Sequence, residues 1–576
     1  MIANWVRRHS GFVALAFGVM SLTLGVGACT DTQTNTVTDT VFVPKPTYNV
    51  GPDSSGTLGY YLAGTNQTTC GNCHVGQQQD WSQTAHAGAW ASLAGIGQDG
   101  NPACQGCHSV NSRGNQAYIK IGYDSVKSNL YQDVQCESCH GPGETHVANP
   151  TIVANRPIPR ILVYPNVTTN TVTSADTARV VNSACGACHT DEGAAKHHNY
   201  LNEWLSSRHG KLNTTPARRP ADGCTACHEA KGILAAWGVN TVYREQKDTT
   251  LMPQGCPVCH DPHGSAKDAN GNMLLGQLRF PIDVPDVNRN LCTKCHNRTG
   301  DATPNNSRGP HGAQGPVVFG TAGYFPPGTV YDTTAILSTH GSTANPRICA
   351  GCHVNVNTGK DASGNSITFT GHSFHPLPCK NPDGSGTVDT TYSNACAYDL
   401  PSRNYTACTA SGCHGTEAVA LSRLQGIWNE KEGYLNVIWV DLNHNQKVDA
   451  YPADTGYLAK VMLNAPNDLN FAAPYDKTMT AAKGALFNAQ LTGESLTGHP
   501  DGSHGVHNPF LYRALLQSTI ADLLAHYGGT GGFLPAPPAP VMSKIQAAIQ
   551  SGVLKVAPKT EQALMAPLNL QVAGTK

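Results

Sequence analysis

The feature that most constrains this chain is a five-residue pattern, Cys-x-x-Cys-His, that occurs eight times. It stands as CGNCH at Cys70, CQGCH at Cys104, CESCH at Cys136, CGACH at Cys185, CTACH at Cys224, CPVCH at Cys256, CTKCH at Cys292 and CAGCH at Cys349. Two thiols at this spacing can add across the two vinyl groups of one porphyrin, and the adjoining imidazole then reaches the iron, so the pattern reads as covalent attachment of haem c. Zinc ribbons and thioredoxin-like pairs also use Cys-x-x-Cys, but neither needs a histidine after every second cysteine. The thioether cysteines are therefore Cys70, Cys73, Cys104, Cys107, Cys136, Cys139, Cys185, Cys188, Cys224, Cys227, Cys256, Cys259, Cys292, Cys295, Cys349 and Cys352, with His74, His108, His140, His189, His228, His260, His296 and His353 as proximal iron ligands.

A ninth site is expected at CTASGCH, where Cys408 and Cys413 precede His414 in a wider loop that resembles the CxxxxCH variant of small tetrahaem cytochromes. Cysteine parity agrees. Of 21 cysteines, the eight patterns use sixteen and Cys29 stands apart, so a ninth haem leaves only Cys379 and Cys396, which are expected to form a disulfide. Successive first cysteines are 34, 32, 49, 39, 32, 36, 57 and 59 residues apart, too irregular for a solenoid. Loops wrapped around touching porphyrins fit better, the haem faces standing in for a thin aliphatic core. Nine haems c are the expected cofactors.

The histidine inventory allows a second imidazole at every iron. Of 25 histidines, nine are proximal and His9 lies in the N-terminal apolar segment, leaving fifteen for nine open positions. Methionine would raise the potential, but recurs in no motif-like setting. Expected distal ligands are His86, His146, His209, His263, His311, His340 and His507, with His372, His375 and His198 as further candidates. His146 follows the Cys136 pattern across a Gly-Pro-Gly turn and is expected to serve a neighbouring haem rather than its own. His209, His263, His311 and His340 each precede glycine, which is expected to let the backbone pass close to a porphyrin. His197 and His504 are weaker candidates, while His444, His499 and His526 are read as ordinary histidines.

At the N-terminus, Arg7 and Arg8 precede an apolar run, broken by glycines and by Ser21 and Thr23, that ends at Val-Gly-Ala-Cys. It reads as an export signal rather than a spanning helix, and its end resembles a lipobox with Cys29 as the lipidated residue. Charged residues are 13% of the chain, against roughly a quarter in average proteins, and the formal net charge is −1, so no electrostatic footprint for nucleic acid exists. The expected organisation is a lipoprotein signal peptide at 1–28, a Thr-rich tether at 29–58, a multihaem domain at 59–415, a haem-free helical or mixed region at 416–530 supplying a distal histidine, and a Pro/Gly linker with a short helix at 531–576. Within the haem-free part, Thr416 reads as the cap of a helix through TEAVALSRLQGIWNE, YLNVIWV as a short strand, and Asn508-Pro509 as the start of a helix that Gly528 stops. Asp441, Asn443, Asn445 and Asp449 match part of a calcium loop, but Gln446 replaces its glycine and Pro452 its last ligand, so an Asx-rich turn is the better reading.

The segments WSQTAHAGAW, CESCHGPGETH and GVHNPFLYRALL resemble elements of the multihaem cytochromes c related to the tetrahaem electron carriers and the octahaem hydroxylamine and tetrathionate enzymes. The lipobox, haem count and low-charge loops look more like outer-surface lipoprotein cytochromes of metal-reducing bacteria. The resemblance runs through about residues 60–530 as scattered motifs. It implies a mainly α fold with irregular loops and little sheet, wrapped around a stacked haem chain, with bis-histidine ligation and electron transfer. Three functions follow: an electron conduit of the cell envelope reaching extracellular acceptors, an oxidoreductase acting on a small nitrogen or sulfur compound, and a subunit of a haem polymer. The conduit stands first, because catalytic relatives often carry a CxxCK motif and every site here ends in histidine, while a lipid anchor disfavours a released polymer. No catalytic residue is assigned; the expected partners are envelope redox proteins, extracellular acceptors and, through the lipid, the outer membrane.

Overall fold

In a computed structural model, the described residues are 52–115, 117, 119–159, 184–190, 199–211, 223–239, 252–360, 366–381, 396, 400–409, 413–562 and 564. The signal, Cys29, the tether up to residue 51, His197 and His198 lie outside them. Short helices and loops make up the first part of the chain, and long helices the last.

Each Cys-x-x-Cys-His pattern is about one helical turn. His74 N donates to Cys70 O at 3.0 Å, and the same closure recurs from His189 to Cys185 at 2.9 Å, His228 to Cys224 at 3.0 Å, His260 to Cys256 at 3.0 Å and His296 to Cys292 at 3.2 Å. One turn puts both thiols and the imidazole on a common face, as positions three and four apart on a helix must lie. The Cys136–His140 helix ends at Gly141, whose φ of +86° only glycine adopts without strain.

Among the described residues, sheet is confined to three antiparallel pairs: Tyr60–Leu62 with Gln67–Thr68, Val330–Tyr331 with Leu554–Lys555, and Asn357–Lys360 with Ser366–Phe369. The fold is thus mainly α with irregular loops.

The largest apolar core belongs to the C-terminal helices Glu417–Ile438, Tyr457–Asn464, Ala481–Thr492, Pro509–Tyr527 and Ala539–Gln550. Thr416 caps the first, its hydroxyl accepting from Val419 N, and Asn508 caps the fourth, accepting from Leu511 N ahead of Pro509. The expected strand at YLNVIWV is instead the last turns of the Glu417–Ile438 helix, followed by an extended Trp439. Tyr434, Leu435, Val437 and Ile438 are buried there in the core that also holds Leu516, Ile520 and Leu523. Burying such a side chain is worth about 1.5–3 kcal/mol, which outweighs the β preference of Val and Ile. A second core joins this bundle to the haem-motif part, packing Phe487, Leu491, Leu511 and Leu515 with Ala313, Val317, Tyr331 and Ile336. It fixes the start of the Pro509–Tyr527 helix, and so His507, relative to the motifs.

Residues 441–449 form an Asx-rich turn. Asp441 accepts from Asn445 N and Gln446 N, and Asp449 from the side chains of Asn443 and Asn445. Their oxygens are thus already engaged with the turn itself.

Candidate haem-iron sites

Eight of the nine motif histidines face a second imidazole from elsewhere in the chain. The pairs and their ring-centre separations are His74–His146 at 6.3 Å, His189–His86 at 6.1 Å, His140–His263 at 6.4 Å, His296–His209 at 6.3 Å, His228–His311 at 5.9 Å, His260–His372 at 6.2 Å, His414–His340 at 6.0 Å and His353–His507 at 6.1 Å. Two metal–nitrogen bonds of about 2 Å each, plus roughly 1 Å from each nitrogen to its ring centre, sum to about 6 Å. The gaps therefore fit one iron between each pair. Each of these motif histidines faces a distant ring rather than converging with its own thiols, and among the described residues no group of three or more His, Cys, Asp or Glu forms a bare metal site.

His146 stands opposite His74, not His140, so the loop after the Cys136 pattern reaches the Cys70 motif. His375 is not one of the eight facing rings, and His198 lies outside the described residues. His108 faces no second histidine among the described residues; its Nδ1 meets Ala89 O at 2.8 Å.

The motifs also touch one another. Thiol pairs in contact are Cys70 with Cys136, Cys107 with Cys188, Cys185 with Cys256, Cys227 with Cys295 and Cys292 with Cys349. Cys139 is within electrostatic range of Cys185 and Cys188, Cys259 of Cys292 and Cys295, and Cys352 of Cys408 and Cys413. Together these contacts and near approaches trace a trunk through Cys70, Cys136, Cys185, Cys256, Cys292, Cys349 and Cys408, with the Cys104 motif branching at Cys185 and the Cys224 motif at Cys292. Cys379 and Cys396 are joined by a disulfide, their Cα atoms 5.8 Å apart.

Residues 69–141, which hold the first three patterns, match the family model of cytochrome c554 and c-prime. The chain is a multihaem c-type cytochrome. Part of it is 27% identical over 207 residues to the multihaem cytochrome MtrA of Shewanella baltica, covering 34% of this chain and 53% of that protein. Another match is 38% identical over 89 residues to cytochrome c-554 of Nitrosomonas europaea, covering 13% of this chain and 36% of that one. The cytochrome thus spans about half the length of the first relative and about a third of the second. No solved structure matches it significantly.

Burial favours the neutral form, the one in which an imidazole binds a metal, at many of these rings. It pushes His209, His311, His353 and His372 down to about 4, and lowers His86, His140, His146, His228, His260, His296 and His340 as well. The Nδ1 atoms are held mostly by neutral acceptors: Pro157 O for His140, Gly276 O for His260, Val506 O for His340, Phe374 O for His353, Gln314 Oε1 for His296 and Thr370 Oγ1 for His372. Such contacts fix ring orientation.

Three positioning groups were not legible in the sequence. Glu137, inside a haem pattern, is buried and accepts from Leu58 N, Gly59 N and Gly143 N at 2.7–3.0 Å, tying the start of the described chain to the loop that carries His146. Burial pushes its carboxyl up to about 7 against those donors. Glu203 accepts from Thr370 and His372 N, fixing His372. Asp501 accepts from His507 Nδ1 at 2.7 Å. The glycines after His209 and His340 answer to the protein: a Cβ on Gly210 would lie 2.3 Å from Trp204 O, and one on Gly341 2.4 Å from Val318 O. Close approach of backbone to backbone excludes a side chain there.

Proposed function

We propose that this cytochrome is an electron conduit of the cell envelope that delivers electrons to acceptors outside the cell. The observation that carries the reading is the run of neighbouring motifs from Cys70 to Cys408, their thiols in contact at three steps and within electrostatic range at the other three, with a facing imidazole pair at each trunk site. Nine haems c are held by the thiols and histidines named above, the ninth by Cys408, Cys413 and His414. When bound, each haem supplies a one-electron centre, and a histidine pair favours a lower potential than a histidine–methionine pair.

The chain's own residues do three things in this reading. The helical turns present thiols and imidazole on one face. The facing rings would supply a second imidazole to each bound iron and keep small ligands from it. The side-by-side motifs keep neighbouring centres close, which a wire requires and a single two-electron reaction does not. A signal ending in a lipobox-like cysteine and a Thr-rich tether would hold the domain at the outer membrane while letting it reach a redox partner.

The test is reoxidation of the reduced, purified protein by chemically unrelated acceptors, including chelated ferric iron and an iron mineral surface. The conduit passes electrons to all of them without a saturable pocket. Rapid turnover of one nitrogen or sulfur oxyanion, with the other acceptors ignored, replaces the conduit by an oxidoreductase. A high-spin haem at His108 would point the same way.

A further inference from the structure

In the iron pair His353–His507 a buried carboxylate stands behind the distal ring. Asp501 Oδ1 lies 2.7 Å from His507 Nδ1, and the Asp501 side chain is fully buried. Its second oxygen accepts from Ser503 Oγ and, at 2.8 Å, from Tyr512 Oη, itself fully buried. The nearest comparable case, Asp261 Oδ1 beside His263 Nδ1, is 4.0 Å away, too far for a hydrogen bond, and that histidine side chain is 49% exposed. Behind His108, His140, His260, His296, His340, His353 and His372 the acceptors are carbonyls, an amide and a hydroxyl.

A buried carboxylate that accepts the Nδ1–H of a ligating histidine pulls that proton toward itself and raises the basicity of the opposite nitrogen. A more basic ligand stabilises the ferric state and lowers the potential of the iron it holds. We propose that Asp501 tunes the haem held by His353 and His507, keeping it harder to reduce than it would be with a neutral acceptor behind His507. Resting on the His353–His507 pairing of the reading above, this lowers the potential of the Cys349 site, which stands between the Cys292 and Cys408 sites on the trunk. Tyr512 moderates the effect by drawing part of the carboxylate's charge. The loop that carries Asp501 also receives Gln314, whose amide donates to Pro500 O and Asp501 O at 3.3 Å and whose oxygen meets His296 Nδ1 at 3.1 Å. One loop thus braces the histidines of two adjacent sites.

The experiment is a potentiometric titration of the haem-loaded protein, followed optically, with spin state read in parallel. Asp501→Asn keeps an oxygen that can accept from Nδ1 but removes the charge; one midpoint should rise, the rest should stay, and all haems should remain low-spin. Tyr512→Phe, a conservative change in a packed site, should move the same midpoint downward. His507→Ala should make one haem high-spin. If His507→Ala leaves every haem low-spin, the pairing is wrong and the inference falls with it. If His507→Ala opens one iron but Asp501→Asn moves no midpoint, the tuning role alone is overturned. Should Asp501→Asn lose haem, Tyr512→Phe decides, and an unmoved or raised midpoint refutes the proposal.

Discussion

Replacing His146 by Ala should open the iron held by His74 and leave the iron held by His140 closed. His146 follows the Cys136 pattern directly, so proximity in sequence points to His140, whereas in space its ring centre is 6.3 Å from that of His74 and His140 faces His263 at 6.4 Å. Alanine removes the ligating ring, and a haem left with one imidazole becomes high-spin: one haem of the nine expected from the sequence patterns. The change should be gentle on the fold. His146 Nδ1 is buried but finds no hydrogen-bond partner among the described residues, so truncation orphans no acceptor. By contrast, removing His340, whose Nδ1 meets Val506 O at 2.6 Å, strands a carbonyl at a cost of about 1–3 kcal/mol. The assay is electron paramagnetic resonance with spin quantitation, repeated on His263→Ala and on the double variant. Each single variant should give one high-spin haem per chain and the double two, with added imidazole restoring low spin. One high-spin haem in the double variant would mean that both histidines serve the same iron and would refute the pairing.

Glu137→Ala should strand the N–H groups of Leu58, Gly59 and Gly143, cost about 3 kcal/mol or more, and loosen His146, seen as a lower melting temperature with partial high-spin character. In the C-terminal bundle, the fully buried Lys431 side chain is held by Glu494 and, at 3.2 Å, by Glu432, so Glu494→Gln weakens its compensation without stranding it and should cost about 1.5–3 kcal/mol in denaturant melts. Burial opposes ionisation of Glu494, but His504 and Lys431 hold its carboxyl down to about 2. Its contribution is therefore complete above an ordinary carboxyl pKa and lost as pH falls toward about 2, amounting to about 3 kcal/mol, and Glu494→Gln should flatten that part of the acid-unfolding curve. The facing rings fall into two sets, nearly parallel at 17°, 22° and 29° for His140–His263, His260–His372 and His74–His146, and steep at 47–69° for the other five. Frozen spectra should accordingly resolve rhombic low-spin signals from three haems and a large-g feature from five.

Much of the site was legible because covalent chemistry dictates it: two vinyl groups and one iron require two thiols and an imidazole on one turn, and no packing detail alters that spacing. The helix starting at Asn508-Pro509 was equally plain, since its cap and first residue are local signals. The pairing of His86 with His189, or of His263 with His140, is a contact between distant segments that no local pattern encodes. The Tyr434–Val440 segment was misread because its local β preference yields to burial against the Pro509–Tyr527 helix. Gly210 and Gly341 were read as clearance for a porphyrin, yet carbonyls of Trp204 and Val318 occupy that space. Asp501, Glu137 and Glu203 carry no sequence signature, because a carboxylate acquires its role from the donors the fold brings to it.

The order of the iron sites is tested most directly by a density map of the haem-loaded protein. The account predicts irons between His74 and His146, His189 and His86, His140 and His263, His296 and His209, His228 and His311, His260 and His372, His414 and His340, and His353 and His507, with porphyrins in contact along the trunk from the Cys70 motif to the Cys408 motif and side branches at the Cys104 and Cys224 motifs. An iron seated between a different pair, or a break between successive trunk porphyrins, would contradict it.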